Sequence, residues 1–375
     1  MRRAFRFLVP AFACLLIAPL AAQTLPPEAD IPALQRRAEQ GDAQAQFDLG
    51  KRYQQGQGVR ADFRKALGYY RQAAKQNHPL ALNNLGVSYE TGNGVPRDPV
   101  QAKAYYQAAA KLGSMVAQYN LGTFLYKSAA GDDAALREAF RYFTQAAELG
   151  HINAMRALAE FYRGGRIIPK DDAAVLLWIR KAEAAGCVKA KTDLAIAYQR
   201  GLGVVADLPV AVALYRQAAE GGDVVAQHNL GLRYARGEGV PLDNAEAVRW
   251  FRKAADQGFA RSMSALGVTY EGSGDKAEAL RLYRLAAERG DSDGQTNLGR
   301  AQAEGVPADL PAAFMWLTLA ANQNGAAARA ELAKLTPRLT PAQLRQGEAA
   351  ARSWRPRPAP ASVGPSDKEL GCENG

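Results

Sequence analysis

Apolar residues along the chain fall into two alternating patterns. In the stretch Leu80 to Gly113, LALNNLGVSYETGNGVPRDPVQAKAYYQAAAKLG, Ala81, Leu85 and Tyr89 stand at i, i+4 and i+8, one stripe of a short helix. Ala102, Tyr105, Tyr106, Ala109 and Ala110 follow at i, i+3, i+4, i+7 and i+8, a wider stripe that predicts a second helix. Between the two, Gly92-x-Gly94-Val95 supplies residues that accept positive φ where the first helix stops, and Asp98 supplies a side chain able to cap the second. Pro99 then suits a first helical turn. The stretch predicts two antiparallel helices joined by a short turn.

The pattern recurs. Leu49, Gly50, Tyr53, Gly56, Gly58, Val59, Asp62, Ala66, Tyr69 and Ala73 each reappear 36 residues later, from Leu85 and Gly86 to Tyr105 and Ala109. The leucine of the first helix returns at Leu49, Leu85, Leu121, Leu158, Leu194, Leu230, Leu266 and Leu298, which places eight copies over residues 43–325. A fixed period of this size is the signature of stacked helix pairs. The glycine after the leucine becomes Ala159 and Ala195 in two copies, so that site asks for a small side chain at a helix contact, not for left-handed backbone. Length changes fall in the turns. The seventh copy lacks four residues after Gly274, the eighth keeps only Gly305 of the glycine pair, and the third reads SAAGDDAAL instead.

The unit A-x-x-x-L-G-x-x-Y-x-x-G-x-G-V-x-x-D-x-x-x-A-x-x-W/Y-Y/F-x-x-A-A-x-x-G, which Ala226 to Gly258 follows almost throughout, resembles the Sel1-like repeat, a relative of the tetratricopeptide repeat. The resemblance covers about three quarters of the chain. It implies an all-α fold, an α/α solenoid of helix-turn-helix repeats with helical caps, used without a cofactor as a non-enzymatic scaffold for another protein or an extended peptide segment. In solenoids of that kind the first helices line a concave surface. The row two places before the leucine is Phe47, Asn83, Tyr119, Arg156, Thr192, His228, Ser264 and Thr296, and the row two places after it is Lys51, Val87, Thr123, Glu160, Ile196, Leu232, Val268 and Arg300. Asn83, Tyr119, Arg156, His228 and Arg300 are the candidate partner-binding residues, because side chains such as Tyr and Arg join a large contact area to directional polar groups. The competing reading of these rows is helix packing. The variable turn around Asp132 and Asp133 is the alternative contact region.

The flanks differ from the repeats. Residues 1–22 carry Arg2, Arg3 and Arg6, then the apolar run Phe7 to Leu20, then Leu20-Ala21-Ala22, the three-part pattern of a secretory signal. The run is shorter than the roughly 20 residues of a membrane span and is broken by Pro10 and Pro19. The expectation is cleavage near Ala22, no transmembrane anchor in the mature chain, and a periplasmic or secreted location. Cys14 lies inside the apolar run, not after it, which argues against lipidation. Residues 23–42 read as a linker and a capping helix, in which Leu34, Ala38 and Gly41 mimic the end of a repeat. Residues 326–355 read as two capping helices and 356–375 as a disordered tail rich in Pro and Gly. Cys187 and Cys372 remain after processing. Cys187 reads as a partly exposed bystander, with pairing to Cys372 left open.

Charge and chemistry narrow the function. The formal net charge of +10 falls to +7 once the three leader arginines are lost, and no basic run resembles a nucleic-acid arm. His78, His151 and His228 lie in different repeats without ligand-spaced Cys or carboxylates, so neither a metal site nor a triad is expected. Gly56-x-Gly58 and its copies lack the third glycine and the preceding strand of a phosphate loop. The aromatic doublets Tyr69-Tyr70, Tyr105-Tyr106, Tyr142-Phe143 and Trp250-Phe251 read as core. The reading is an exported adaptor for another cell-envelope protein, in a signalling or polysaccharide-assembly setting. The alternative is an enzyme acting on peptidoglycan or a β-lactam, hinted at by Ser273-x-x-Lys276 in a shortened turn.

Overall fold

The computed structural model describes residues 31–305, 307–323, 325–357 and 370–372. The leader expected at 1–22 and the linker at 23–30 lie outside the described residues. The chain is all-α, in tandem helix pairs of the α/α solenoid class, and divides into two compact units, 1–112 and 113–375. The first holds α1 (Ile31–Glu39), α2 (Ala43–Gln55), α3 (Phe63–Lys75), α4 (Pro79–Thr91) and α5 (Pro99–Lys111). The second holds α6 (Met115–Ser128), α7 (Asp133–Glu148), α8 (Ile152–Gly164), α9 (Asp172–Ala184), α10 (Val188–Arg200), α11 (Leu208–Glu220) and α12 (Val224–Arg236). It continues with α13 (Asn244–Asp256), α14 (Ala260–Gly272), α15 (Lys276–Glu288), α16 (Ser292–Glu304), α17 (Leu310–Asn322), α18 (Ala326–Leu335) and α19 (Pro341–Ser353). Even-numbered helices α2 to α16 are the first helices of the repeats, and odd-numbered α3 to α17 the second.

Local chemistry sets the ends of these helices. Each second helix is capped by an aspartate whose carboxylate accepts a backbone amide of the first turn, as Asp98 does from Val100 and Gln101. First helices of regular repeats stop at a left-handed glycine, such as Gly92 at φ 81°. The second glycine of the turn has another task. A Cβ on Gly203 would lie 2.4 Å from the carbonyl oxygen of Asp172, and one on Gly239 2.9 Å from that of Leu208. This glycine lets a turn close onto the head of the second helix of the preceding repeat.

Within five of the pairs, an aromatic ring of the second helix packs on the glycine of the first, and Leu317 takes the ring's place on Gly299. A Cβ on Gly86 would stand 2.6 Å from the Tyr106 ring, and one on Gly231 2.7 Å from Phe251. Of the doublets read as core, Tyr70, Tyr106, Phe143, Trp250 and Phe251 are buried, while Tyr69, Tyr105 and Tyr142 are half-buried. A buried phenol needs an acceptor. Tyr70 donates to Gln54 at 2.5 Å, Tyr106 to Glu90 at 2.7 Å, Tyr215 to Gln199 at 2.7 Å and Tyr283 to Glu271 at 2.7 Å. Burial pushes the phenols of Tyr70 and Tyr215 up to about 12, and raises Tyr106 further with help from the Glu90 carboxylate.

Hydrogen bonds also join successive repeats. Arg71 donates to the Tyr89 hydroxyl at 3.3 Å and Arg216 to that of Tyr234 at 2.8 Å, which explains the recurring tyrosine of the first helix. The buried Gln227 donates to Ala219 O at 3.1 Å and accepts from Gln257 at 2.8 Å. Gln46 with Gln76, and Gln295 with Gln323, repeat the arrangement. In the third repeat Leu149 stands at the Gln257 position, and the buried Gln118 Oε1 is left without a partner.

The ends are covered as a stacked array requires. Ala38 of α1 is buried with Ala45 and Leu49, and Gly347 of α19 lies against Phe314 of α17. The far C-terminus departs from the sequence reading. Cys187 is fully buried, not partly exposed, and forms a disulfide with Cys372, 185 residues away, with Cα atoms 4.4 Å apart. Cys187 occupies the N-cap of α10 but makes no side-chain cap, and Leu370 O accepts from Val188 N at 2.9 Å in its stead. The tail read as disordered thus has residues 370–372 seated on α10, with Leu370 buried, while 358–369 lie outside the described residues.

Two outcomes follow. Gly86→Ala is expected to destabilise by about 1–3 kcal/mol through the Tyr106 clash. Gly68→Ala in α3, whose Cβ would meet nothing within 4 Å, should instead gain about 0.5–1 kcal/mol. Denaturation midpoints of the two variants moving in the same direction would contradict the ring-on-glycine contact. Cys372→Ser should cost about 2–4 kcal/mol. A non-reducing digest of the parent should yield the Cys187 and Cys372 peptides linked.

Candidate functional site

The third and fourth repeats depart from the rule of the turns. Seven residues, 92–98, link α4 to α5, but only four, 129–132, link α6 to α7, and α7 runs for 16 residues where α5 has 13. Ala130 is held at φ 43° in this short turn. In the next turn Gly165 keeps the left-handed stop at φ 64°, but Ile167 stands where the second, close-approach glycine stands elsewhere. Ile167 does not share the left-handed φ of Gly203 and Gly239, so this turn takes another course near the head of α7. Arg166 spans the space instead, with Nε 3.0 Å from Asp133 Oδ1 and Nη2 2.5 Å from Gly131 O.

A trough of about 710 Å³ opens here. One wall is a stripe of α6, Tyr119, Thr123, Tyr126 and Lys127, at i, i+4, i+7 and i+8. The other is a stripe of α8, Ala157, Glu160, Phe161 and Gly164, at i, i+3, i+4 and i+7. Leu136 and Phe143 of α7 form the buried floor, and Arg166 and Ile167 close one end. Tyr126 is 56% exposed, with its ring edge-on to Phe161 at 5.7 Å between centroids.

Of the residues singled out from the sequence, Tyr119 lines this trough, and its ring also stacks on His151 at 4.3 Å. The others are engaged elsewhere. Asn83 is buried on α4, its amide 3.4 Å from Asn84 Oδ1. Arg156 pairs through Nε with Asp193 Oδ2 at 2.9 Å. His228 Nδ1 lies 3.0 Å from Ser262 Oγ, its ring against Phe259. Arg300 holds the Glu271 carboxylate at 2.9 and 3.1 Å. Elsewhere in the row, Phe47 stacks on His78, Thr192 donates to Asp223 and Ser264 donates to Asp291, while Thr296 donates to Ser292 O of its own helix. This position of a first helix faces the next repeat, so the packing reading accounts for its partners. The turn around Asp132 and Asp133 does adjoin the trough, through Arg166. Ile167 and Phe161 were missed, though the isoleucine in the second-glycine place is a signal that alignment of the copies exposes.

Elsewhere, Ser273 Oγ donates to Tyr270 O at 3.0 Å and Lys276 opens α15, so this pair belongs to a helix-to-helix turn. His78 and His151 cap α4 and α8 by accepting amides at Nδ1. Burial depresses His151 to about 4, and burial with the Arg261 charge brings His228 to about 4. Both are neutral at pH 7, as the His151 cap requires. No helix among the described residues is long and apolar enough to cross a membrane.

The Sel1 repeat model matches residues 43–78, 79–114, 116–151, 152–187, 188–223, 224–259, 260–291 and 292–325. No curated protein matches the chain. Among solved structures, the chain is similar to c5321, a protective antigen of uropathogenic Escherichia coli with an SLR fold, at 32% identity and TM-score 0.66 over 86% of this chain and 73% of that one. It is also similar to a Sel1 repeat protein from Oxalobacter formigenes, at 29% identity and TM-score 0.61 over 81% and 90%.

The two imidazoles set an acid response. Unfolded histidine takes up its proton near pH 6.5, these two only near 4, so each destabilises the fold progressively as pH falls between those values and costs nothing above them. His151→Asn combined with His228→Gln should flatten the loss of stability between pH 6.5 and 4 relative to the parent. Parallel pH–stability curves for parent and variant would refute this assignment.

Proposed function

Because the chain belongs to the Sel1 repeat family, whose members mediate protein–protein interaction, we propose that it is an exported scaffold on which another cell-envelope protein docks through the trough between α6 and α8. One observation carries the reading: the array opens into an aromatic-walled trough where two neighbouring turns abandon the glycine rule. Aromatic side chains left at a concave surface are the usual anchors of an interface. Export is supported by the signal pattern of residues 1–22 and by the Cys187–Cys372 disulfide, since such bonds persist in oxidising compartments.

Both parts can be tested in cells. N-terminal sequencing of the mature chain should begin just after Ala22; recovery of an unprocessed cytosolic chain would remove the export reading. A photo-crosslinking residue at Tyr126 should give a discrete product with one protein. The same residue at Val205, 89% exposed on a regular turn, should not. Phe161→Ala should abolish the Tyr126 product, and a product that survives it would place docking elsewhere.

A further inference from the structure

Resting on that docking reading, we propose that the trough recognises an extended segment of the partner that presents an aromatic or branched aliphatic side chain beside a carboxylate. The trough, of about 710 Å³, has room for a few residues in extended form.

The two walls differ in chemistry. On α6, the hydroxyls of Tyr119, Thr123 and Tyr126 hold no hydrogen bond among the described residues, so three donors stand along one wall. Backbone carbonyls of an extended segment are the acceptors that such a row can satisfy. On α8, Ala157 and Gly164 are small and flank Phe161, which leaves the ring as the apolar surface for an inserted side chain. A ring placed there meets Phe161 and Tyr126 in the edge-on geometry those two already adopt.

Charge then selects the neighbour of that side chain. Glu160 is paired with Arg163, and Arg166 with Asp133. Lys127 makes no ion pair among the described residues, so its ammonium is the one uncompensated charge of the lining. It lies one residue beyond Tyr126 on the same stripe. An occupant whose apolar side chain rests against the Tyr126–Phe161 pair therefore brings the adjoining residue to the Lys127 end, where a carboxylate is favoured and a cation disfavoured. A single ammonium with Glu160 opposite is not the basic track that a nucleic-acid backbone needs.

The test uses fluorescent decapeptides with a central Phe flanked by Asp, Ser or Lys, and an Asp-flanked control with Ala at the centre, titrated against the mature chain with its disulfide intact. The Asp-flanked Phe peptide should bind tightest, and the Ala control at least ~10-fold more weakly. Phe161→Ala should weaken the Asp-flanked Phe peptide by at least ~10-fold. Lys127→Glu, at an exposed position that leaves the fold alone, should reverse the order so that the Lys-flanked peptide binds best. Equal binding of the three flanks, with the Phe161 dependence retained, overturns the charge preference but leaves docking in the trough. Binding insensitive to both Phe161 and Lys127 overturns the docking reading itself.

Discussion

The contact on which the structure depends is an aromatic ring lying on a glycine. It sets the spacing of the two helices in a pair, because the ring fills the place where a Cβ would stand. It also creates a debt of polarity, since a tyrosine ring buried this way carries its hydroxyl inside. The residue five places after the repeat leucine meets that need: Gln54, Glu90, Gln199 and Glu271 each accept from a buried tyrosine. Where the second helix brings Phe143, Ile179, Phe251 or Leu317, no hydroxyl arrives, and that position holds Tyr126, Arg163, Ala235 or Ala303. Acceptor and donor thus change together across the copies. The trough begins with this exchange: with Phe143 as floor, position 126 is free of the acceptor role, and its side chain stands exposed at the wall.

A second constraint, between repeats, explains why variability along the first helices misleads. The residue two places before the leucine changes from copy to copy, which resembles a surface chosen by a partner. Its contact changes with it: Phe47 stacks on His78, Tyr119 on His151, Arg156 pairs with Asp193 and Thr192 with Asp223. The partners lie on the first helix of the following pair or at its N-cap. Variation there is compensated inside the array, pair by pair.

Much of the fold was legible because it is written in local signals repeated many times. The leucine register, the aspartate caps, the left-handed glycines and the packing role of Gly50 and Gly86 all follow from residues within one copy. What escaped depends on distance. Nothing near Cys187 tells that residues 370–372 return to it, and the missing cap of α10 is supplied by Leu370 O from outside the repeat. The trough was half legible. The altered third turn was visible as length, but its effect comes from the loss of a close approach by the next turn, which needs Ile167 to be set against Gly203 and Gly239.

In a repeat array, identity between copies makes every surface like its neighbour, so a specific site can arise only where copies differ. Most differences here are absorbed in pairs, as the row before the leucine shows, and leave the outside unchanged. The turns of the third and fourth repeats differ without such compensation. One has lost its glycine pair, the other its second glycine, and Arg166 bridges the gap without filling it. The buried Gln118, without the glutamine partner found in other copies, lies in the same repeat. One place where the array breaks its own rule is therefore also where its walls carry exposed aromatic rings, unpaired hydroxyls and one unopposed charge.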